Sequence, residues 1–323
     1  MHHLQKSQLL YDTSHLIHMQ PIITILGPTA IGKSSLAVKL ADQFKGAIIS
    51  ADSRQIYKNF DIGSGKIKVE EMQGIQHYIL DIRELWQDYN VAEFQKDVKY
   101  IIENLEKQNT LPFLVGGTGL YIESILYNYN LPNIAVNSSL RAELSKLNKL
   151  ELQNKLLKLN SNHNLNHSDW NNPVRLIRAI EIVQAKPVAG TDSLVNLYRP
   201  LIIGLQSSLE NIKVRITKRV DERLEQGAIE EVENIKKILV NKLNPELTFQ
   251  KLTQFGLGTV AINQYLEGKI DYEKMRQQYI QSEYQYARRQ LTWFRRMKDI
   301  NWFEADDENL IDKTSFLIAD FLR

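Results

Sequence analysis

Gly27-Pro28-Thr29-Ala30-Ile31-Gly32-Lys33-Ser34 is the stretch that decides the fold. It fits G-x-x-x-x-G-K-[ST] and lies between an apolar run, Ile22–Leu26, and a segment of helical spacing, Ser34–Phe44. Strand, loop and helix in that order are the setting in which this pattern cradles phosphate. The glycines let backbone N–H groups converge on phosphate oxygens, and the helix N-terminus adds a favourable field. Lys33 supplies a mobile charge to the terminal phosphates, and the Ser34 hydroxyl can ligate Mg²⁺. A di- or triphosphate is implied, but the ligand is not named.

Outward from this loop, short apolar runs alternate with helical segments. Ala47–Ala51, Phe113–Val115 (ending in Gly116-Gly117) and Leu201–Leu205 read as further strands, and Val91–Glu106 as a long helix. Strands alternating with helices predict crossover units and a parallel sheet. Between Pro132 and Lys186 that rhythm is lost: Leu140, Leu144, Leu147 and then Leu152, Leu156, Leu159 keep helical spacing in a segment rich in Asn and Lys. Helical stretches follow at Leu209–Leu239, Thr259–Glu267 and Tyr272–Lys298. The expectation is an α/β, P-loop NTPase-like parallel sheet flanked by helices, with a small helical insert. Its parts are an N-terminal extension (1–20), a first core segment (21–132), the insert (133–186) and a second core segment (187–323). Met19, just before the first strand, is a candidate start of translation.

Composition narrows the function classes. Of 323 residues, 43% are hydrophobic and 24% charged, which suits a chain that buries a sizeable core. Forty Lys and Arg against 38 Asp and Glu leave a net charge of +2, so any nucleic-acid surface must come from local clustering. The absence of cysteine excludes disulfides, thiolate metal sites and cysteine nucleophiles. No apolar run approaches the ~20 residues of a membrane span. Residues 1–20 lack a secretory pattern. The expectation is a cytoplasmic protein without a membrane partner.

Two absences and one carboxylate refine the loop. The strand Phe113–Val115 ends in glycines rather than a metal-holding carboxylate, and no N-K-x-D guanine-reading motif is present. A phosphate cradle without ATPase parts suggests that the phosphate belongs to a leaving group. Asp52 follows the second strand directly, where open parallel sheets bind ligands. It reads either as a helix N-cap before Ser53 or as a general base facing the phosphate loop. Arg223, among Arg215, Lys218 and Arg219, reads either as a site residue or as part of a solvated face, and Thr118 as a turn residue. Arg288–Arg296 combines basic residues at helical spacing with Trp293 and Phe294. It reads as an RNA surface, or as core aromatics beside solvated arginines.

Together these residues resemble the tRNA dimethylallyltransferase (tRNA isopentenyltransferase) family. The matching stretches are GPTAIGKS (27–34), SADSRQIYKNFDIGSGK (50–66), LVGGTGLYIES (114–124), RLIRAIEI (175–182), RVDERLEQG (219–227), YLEGKIDYEKM (265–275) and YARRQLTWFRR (286–296). The resemblance implies transfer of a dimethylallyl group from dimethylallyl diphosphate to N6 of the adenosine 3′ of the anticodon, releasing pyrophosphate with Mg²⁺. It implies that Gly27 to Ser34 hold the diphosphate and that Asp52 is the base on N6. Thr118 and Arg223 then bind the diphosphate or stabilise its departing charge. Asp52, Ser53, Arg54, Gln55 and Thr118 are expected to contact the tRNA. So are Arg141, the run Val174, Arg175, Leu176, Ile177, Arg178, and the run Phe255, Gly256, Leu257, Gly258, Thr259. Arg288 and Arg295 complete the expected RNA surface, with the anticodon stem-loop as partner and the enzyme as a monomer. Val174 and Thr259 depart from the family's usual Gln and Tyr, and Asp61–Ile67 departs from its D-I-G-T-A-K-P. His77 matches a family position and reads as structural. A nucleoside or nucleotide kinase, an enzyme prenylating free nucleotides and a non-catalytic RNA-binding protein are the alternatives.

Overall fold

The computed structural model describes residues 19–131, 134, 136–160, 165–185 and 197–323. Nearly all of the expected N-terminal extension, and the first residues of the second core segment, lie outside the described residues. In chain order the elements are β1 Gln20–Leu26, α1 Lys33–Gln43, β2 Gly46–Ala51, β3 His77–Tyr78, α2 Val91–Lys107, β4 Leu111–Gly116 and α3 Gly119–Leu126. Next come α4 Ser138–Leu144, α5 Lys149–Leu159, α6 His167–Trp170, α7 Pro173–Gln184 and β5 Tyr198–Gln206. The chain continues with α8 Leu209–Glu225, α9 Ala228–Val240, α10 Pro245–Phe255, α11 Leu257–Leu266, α12 Tyr272–Phe294, β6 Ile300–Glu304 and α13 Leu310–Phe321.

The six strands form one parallel sheet in the order β3-β2-β4-β1-β5-β6. β1 explains why its sequence is apolar without alternation. Ile22 and Leu26 enter one core layer with Ile49, Leu114 and Phe94, while Ile23 and Ile25 enter the opposite layer with Phe113, Ile203 and Leu40. A parallel strand covered on both faces needs apolar residues at every position. The order also places β1 between β4 and β5, so the loops after β1, β2 and β4 leave three neighbouring strands at one edge.

The stretch expected as one helix from Leu209 to Leu239 is two. Gly227 adopts φ +100°, a left-handed turn that favours glycine, and it opens α9 after α8 has ended. The described residues form two compact units, one within 1–128 and 196–323 and the other within 129–195. In the smaller unit α4, α5 and α7 bury Leu144, Leu152, Leu156, Leu176 and Ile180. Among the described residues no helix is long and apolar enough to cross a membrane.

Candidate active site

The carboxyl ends of β1, β2 and β4 supply the phosphate loop, Asp52 and the Gly116–Thr118 turn, the crevice in which open α/β sheets take ligands. Gly32, at φ +99°, turns the loop into α1, so the backbone N–H groups of the first turn face the crevice. Lys33 curls back and donates to the Pro28 carbonyl at 2.7 Å. Burial pushes its amine down to about 7; Asp52 acts against that and Arg219 adds to it. An anion beside Lys33 would favour its charged form.

Asp52 caps no helix. Residues 53–56 form a turn, and Asp52 Oδ1 accepts the Arg54 N–H at 2.9 Å. The Ser53 N–H donates to Thr118 Oγ1 at 3.1 Å, and the Thr118 N–H to the Ala51 carbonyl at 3.1 Å, so the β2 and β4 turns are tied together. Gln55 accepts from Ser50 Oγ at 2.9 Å and donates to the Gly65 carbonyl at 3.2 Å.

Two helices close the site. From α8, Arg223 is 5% exposed and therefore not on a solvated face. Its Nη1 donates to Tyr279 Oη at 3.3 Å and pairs with Glu283 at 3.5 Å, while its Nε has no partner among the described residues. Arg219, one turn earlier, touches Thr29 Oγ1 and the Gly65 carbonyl, both at 3.4 Å. Burial, with Arg223 beside it, brings its guanidinium down to about 10. From α12, Gln290 accepts the Thr29 N–H at 2.8 Å and donates to the Gly117 carbonyl at 2.9 Å, clamping the phosphate loop to the β4 turn. Lys33, Arg54, Arg219 and Arg223 surround a cavity of about 60 Å³ against two carboxylates, Asp52 and Glu283. Lys33, Ser34, Arg219 and Arg223 also line an adjoining cleft of about 860 Å³. Three guanidinium groups and the Lys33 amine against two carboxylates suit an anionic ligand.

The expected RNA residues are placed less uniformly. Arg288 is exposed on α12 and Arg295 at its C-cap, whereas Phe294 is fully buried and Trp293 half-buried. Phe255, Gly256, Gly258 and Thr259 are interior at the joint of α10 and α11, and only Leu257 of that run is exposed. In the smaller unit Val174 and Arg175 are exposed, Leu176 is buried, and Ile177 and Arg178 are half-buried. Arg141 gives Nε and Nη2 to the buried Glu181 at 2.8 and 2.7 Å, and Arg178 joins it at 3.2 Å. Glu283 carries no motif in the sequence, Gln290 and Tyr286 enter it only within the basic stretch 286–296, and Arg219 only as background charge. For Glu283, Tyr286 and Gln290 the available signal is polar residues at core-facing spacing along α12.

Known proteins resemble this chain over most of its length. The model of a family described as IPP transferase matches residues 55–297. A tRNA dimethylallyltransferase of Anoxybacillus flavithermus is 34% identical over 299 residues, 91% of this chain and 93% of that protein. One from Thermoanaerobacter sp. is 39% identical over 297 residues, 88% and 92% of the two chains. The crystal structure of a full-length tRNA isopentenylpyrophosphate transferase from Bacillus halodurans aligns with TM-score 0.69 at 31% identity, covering 93% of this chain and 96% of that one.

Proposed function

The chain belongs to the IPP transferase family, and from that premise we propose that it transfers a dimethylallyl group from dimethylallyl diphosphate to N6 of the adenosine 3′ of the anticodon in tRNA. The observation that carries this reading is a general-base candidate, Asp52, on the wall of the same cationic cavity as Lys33, Arg219 and Arg223.

Adenine's exocyclic amine is a weak nucleophile because its lone pair is delocalised into the ring. Asp52 accepts the N6 proton as the N6–C1 bond forms and the C1–O bond to the diphosphate breaks. Charge grows on the leaving oxygens, where Lys33, Arg219 and Arg223 face it. Thr118, held by the Ser53 N–H, fixes the turn that carries Asp52. Gln290 keeps the loop and that turn in register. The target base leaves its stack to reach the cavity.

The donor set also fits Mg²⁺. Ser34 Oγ lines the cavity, and Mg²⁺ is commonly held by one or two protein oxygens together with phosphate oxygens. No cluster of three His, Cys, Asp or Glu that could hold a metal alone occurs among the described residues, so the diphosphate would complete the shell. When bound, Mg²⁺ would neutralise charge on the departing pyrophosphate.

Mass spectrometry of tRNA nucleosides after incubation with protein, dimethylallyl diphosphate and Mg²⁺ tests the reading. The expected result is an adenosine heavier by one dimethylallyl group, formed without ATP. Unmodified tRNA, or ATP-dependent phosphorylation of a small acceptor, would overturn it.

A further inference from the structure

Glu283 is a buried carboxylate, 5% exposed, that faces two walls of the cavity at once. Oε1 accepts from Arg54 at 3.1 Å and Oε2 pairs with Arg223 at 3.5 Å. Arg54 comes from the turn after β2, next to Asp52, and its guanidinium lies 4.7 Å from the centre of the Tyr286 ring. Arg223 comes from α8 and faces the phosphate side with Arg219. Burial works against the ionised carboxyl, but Arg223, Arg54 and Arg219 together hold it below the usual range. A buried ion network of this kind adds little net stability, because desolvation offsets the attraction. A role in placing its two partners accounts better for it.

We propose that Glu283 is a positioning residue that couples the donor and acceptor sites through Arg223 and Arg54. The inference rests on the reading above, in which the diphosphate meets Arg223 and the base meets the Asp52–Arg54 turn. One carboxylate divides its field between two guanidinium groups. A diphosphate takes over the charge of Arg223 and Arg219. Glu283 is then left to Arg54, which it holds against Tyr286 in the place the acceptor requires. Donor binding therefore prepares the acceptor side, and by linkage the acceptor must tighten the donor by the same factor.

The test measures binding of a synthetic anticodon stem-loop RNA with and without inorganic pyrophosphate and Mg²⁺, and binding of pyrophosphate with and without the RNA. The parent protein is compared with Glu283→Gln and Glu283→Asp. In the parent each ligand should tighten the other by at least about 5-fold, the lower end of ordinary coupling. In Glu283→Gln both ligands should still bind alone, with the factor falling to within about 2-fold of unity. Glu283→Asp keeps the charge but is one methylene too short to span both guanidinium groups, so its factor should also fall below the parent's. A parent that binds both ligands without mutual effect, or a Gln variant with the parent's factor, would overturn the proposal and leave the proposed function standing. A parent that binds neither ligand would overturn that reading instead. If neither variant melts as a folded protein, Glu283 serves the structure alone and the proposal falls.

Discussion

Asp52 reaches the crevice because β2 ends one residue before it, and the turn that follows uses its carboxylate as an acceptor for the Arg54 N–H. Asn offers the same acceptor oxygen, so Asp52→Asn should keep the turn and leave RNA and donor affinity close to the parent's. The chemical step should slow by about 10²- to 10⁴-fold, the usual contribution of a positioned base. Single-turnover kinetics at saturating RNA checks this without interference from product release, and a rate within a few-fold of the parent would remove Asp52 from the chemistry. Lys33 makes the complementary case. Lys33→Ala removes the charge aimed at the diphosphate, so titration with dimethylallyl diphosphate should show weaker binding and turnover should fall, while RNA binding persists. ATP hydrolysis should stay negligible with and without tRNA; robust turnover would favour the kinase alternative. Both residues were legible in the sequence because their signals are local: a glycine-bounded loop, and an acid directly after a strand. Glu283 and Gln290 were not, because a polar residue in a long basic helix looks solvated until packing assigns it a face.

At the scale of elements, α12 does the joining. Tyr279, Glu283, Tyr286 and Gln290 recur at helical spacing along one face, amid the buried Met275, Ala287, Leu291 and Phe294. Gln290→Leu keeps the volume but strands the Thr29 N–H and the Gly117 carbonyl. It should cost about 1–3 kcal/mol in thermal or denaturant unfolding, and it should raise the KM for the diphosphate more than it changes RNA affinity. Equal stability in the variant would mean that water replaces the clamp without loss. The smaller unit carries its own ionic centre on α7. Burial pushes the Glu181 carboxyl up, but Arg141, the Asn137 N–H and Arg178 more than reverse this and leave it below the ordinary 4.5. A depressed carboxylate contributes stability above its unfolded value, and that contribution is lost as pH falls through the folded value. Hydrogen-exchange protection of α7 should therefore weaken below about pH 4.5, and Glu181→Gln should flatten that dependence while lowering protection near neutrality. The break between α8 and α9 was readable only in part. Gly227 stood in the sequence, but a glycine inside a helical pattern is often tolerated, and its left-handed φ is a property of the folded chain.

For the whole molecule, the sequence carried the class of fold because apolar runs covered on both faces belong to parallel sheets. It did not carry the strand order or the short outer strands β3 and β6, because neighbours in a sheet are chosen by packing across long separations. The near-neutral charge likewise hides an uneven distribution: buried arginines gather in the cavity, while Arg288 and Arg295 stand exposed on α12 and its C-cap. These exposed arginines decide whether α12 meets RNA as well as closing the active site. RNA affinity should fall steeply with salt, by about 0.7–0.9 log units per log of salt for each phosphate neutralised. Replacing Arg288 and Arg295 together by Ala should lower the slope by up to about two such contacts. It should weaken binding across RNA sequences alike, since a phosphate contact reads no base. The aromatic partners cannot make up the loss, because Phe294 is fully buried and Trp293 is turned onto Gly119. Filter-binding or anisotropy titrations over a salt series measure the slope directly. An unchanged slope in the double variant would show that these arginines face only water, and would leave the smaller unit and the turns around Asp52 as the RNA contacts to test next.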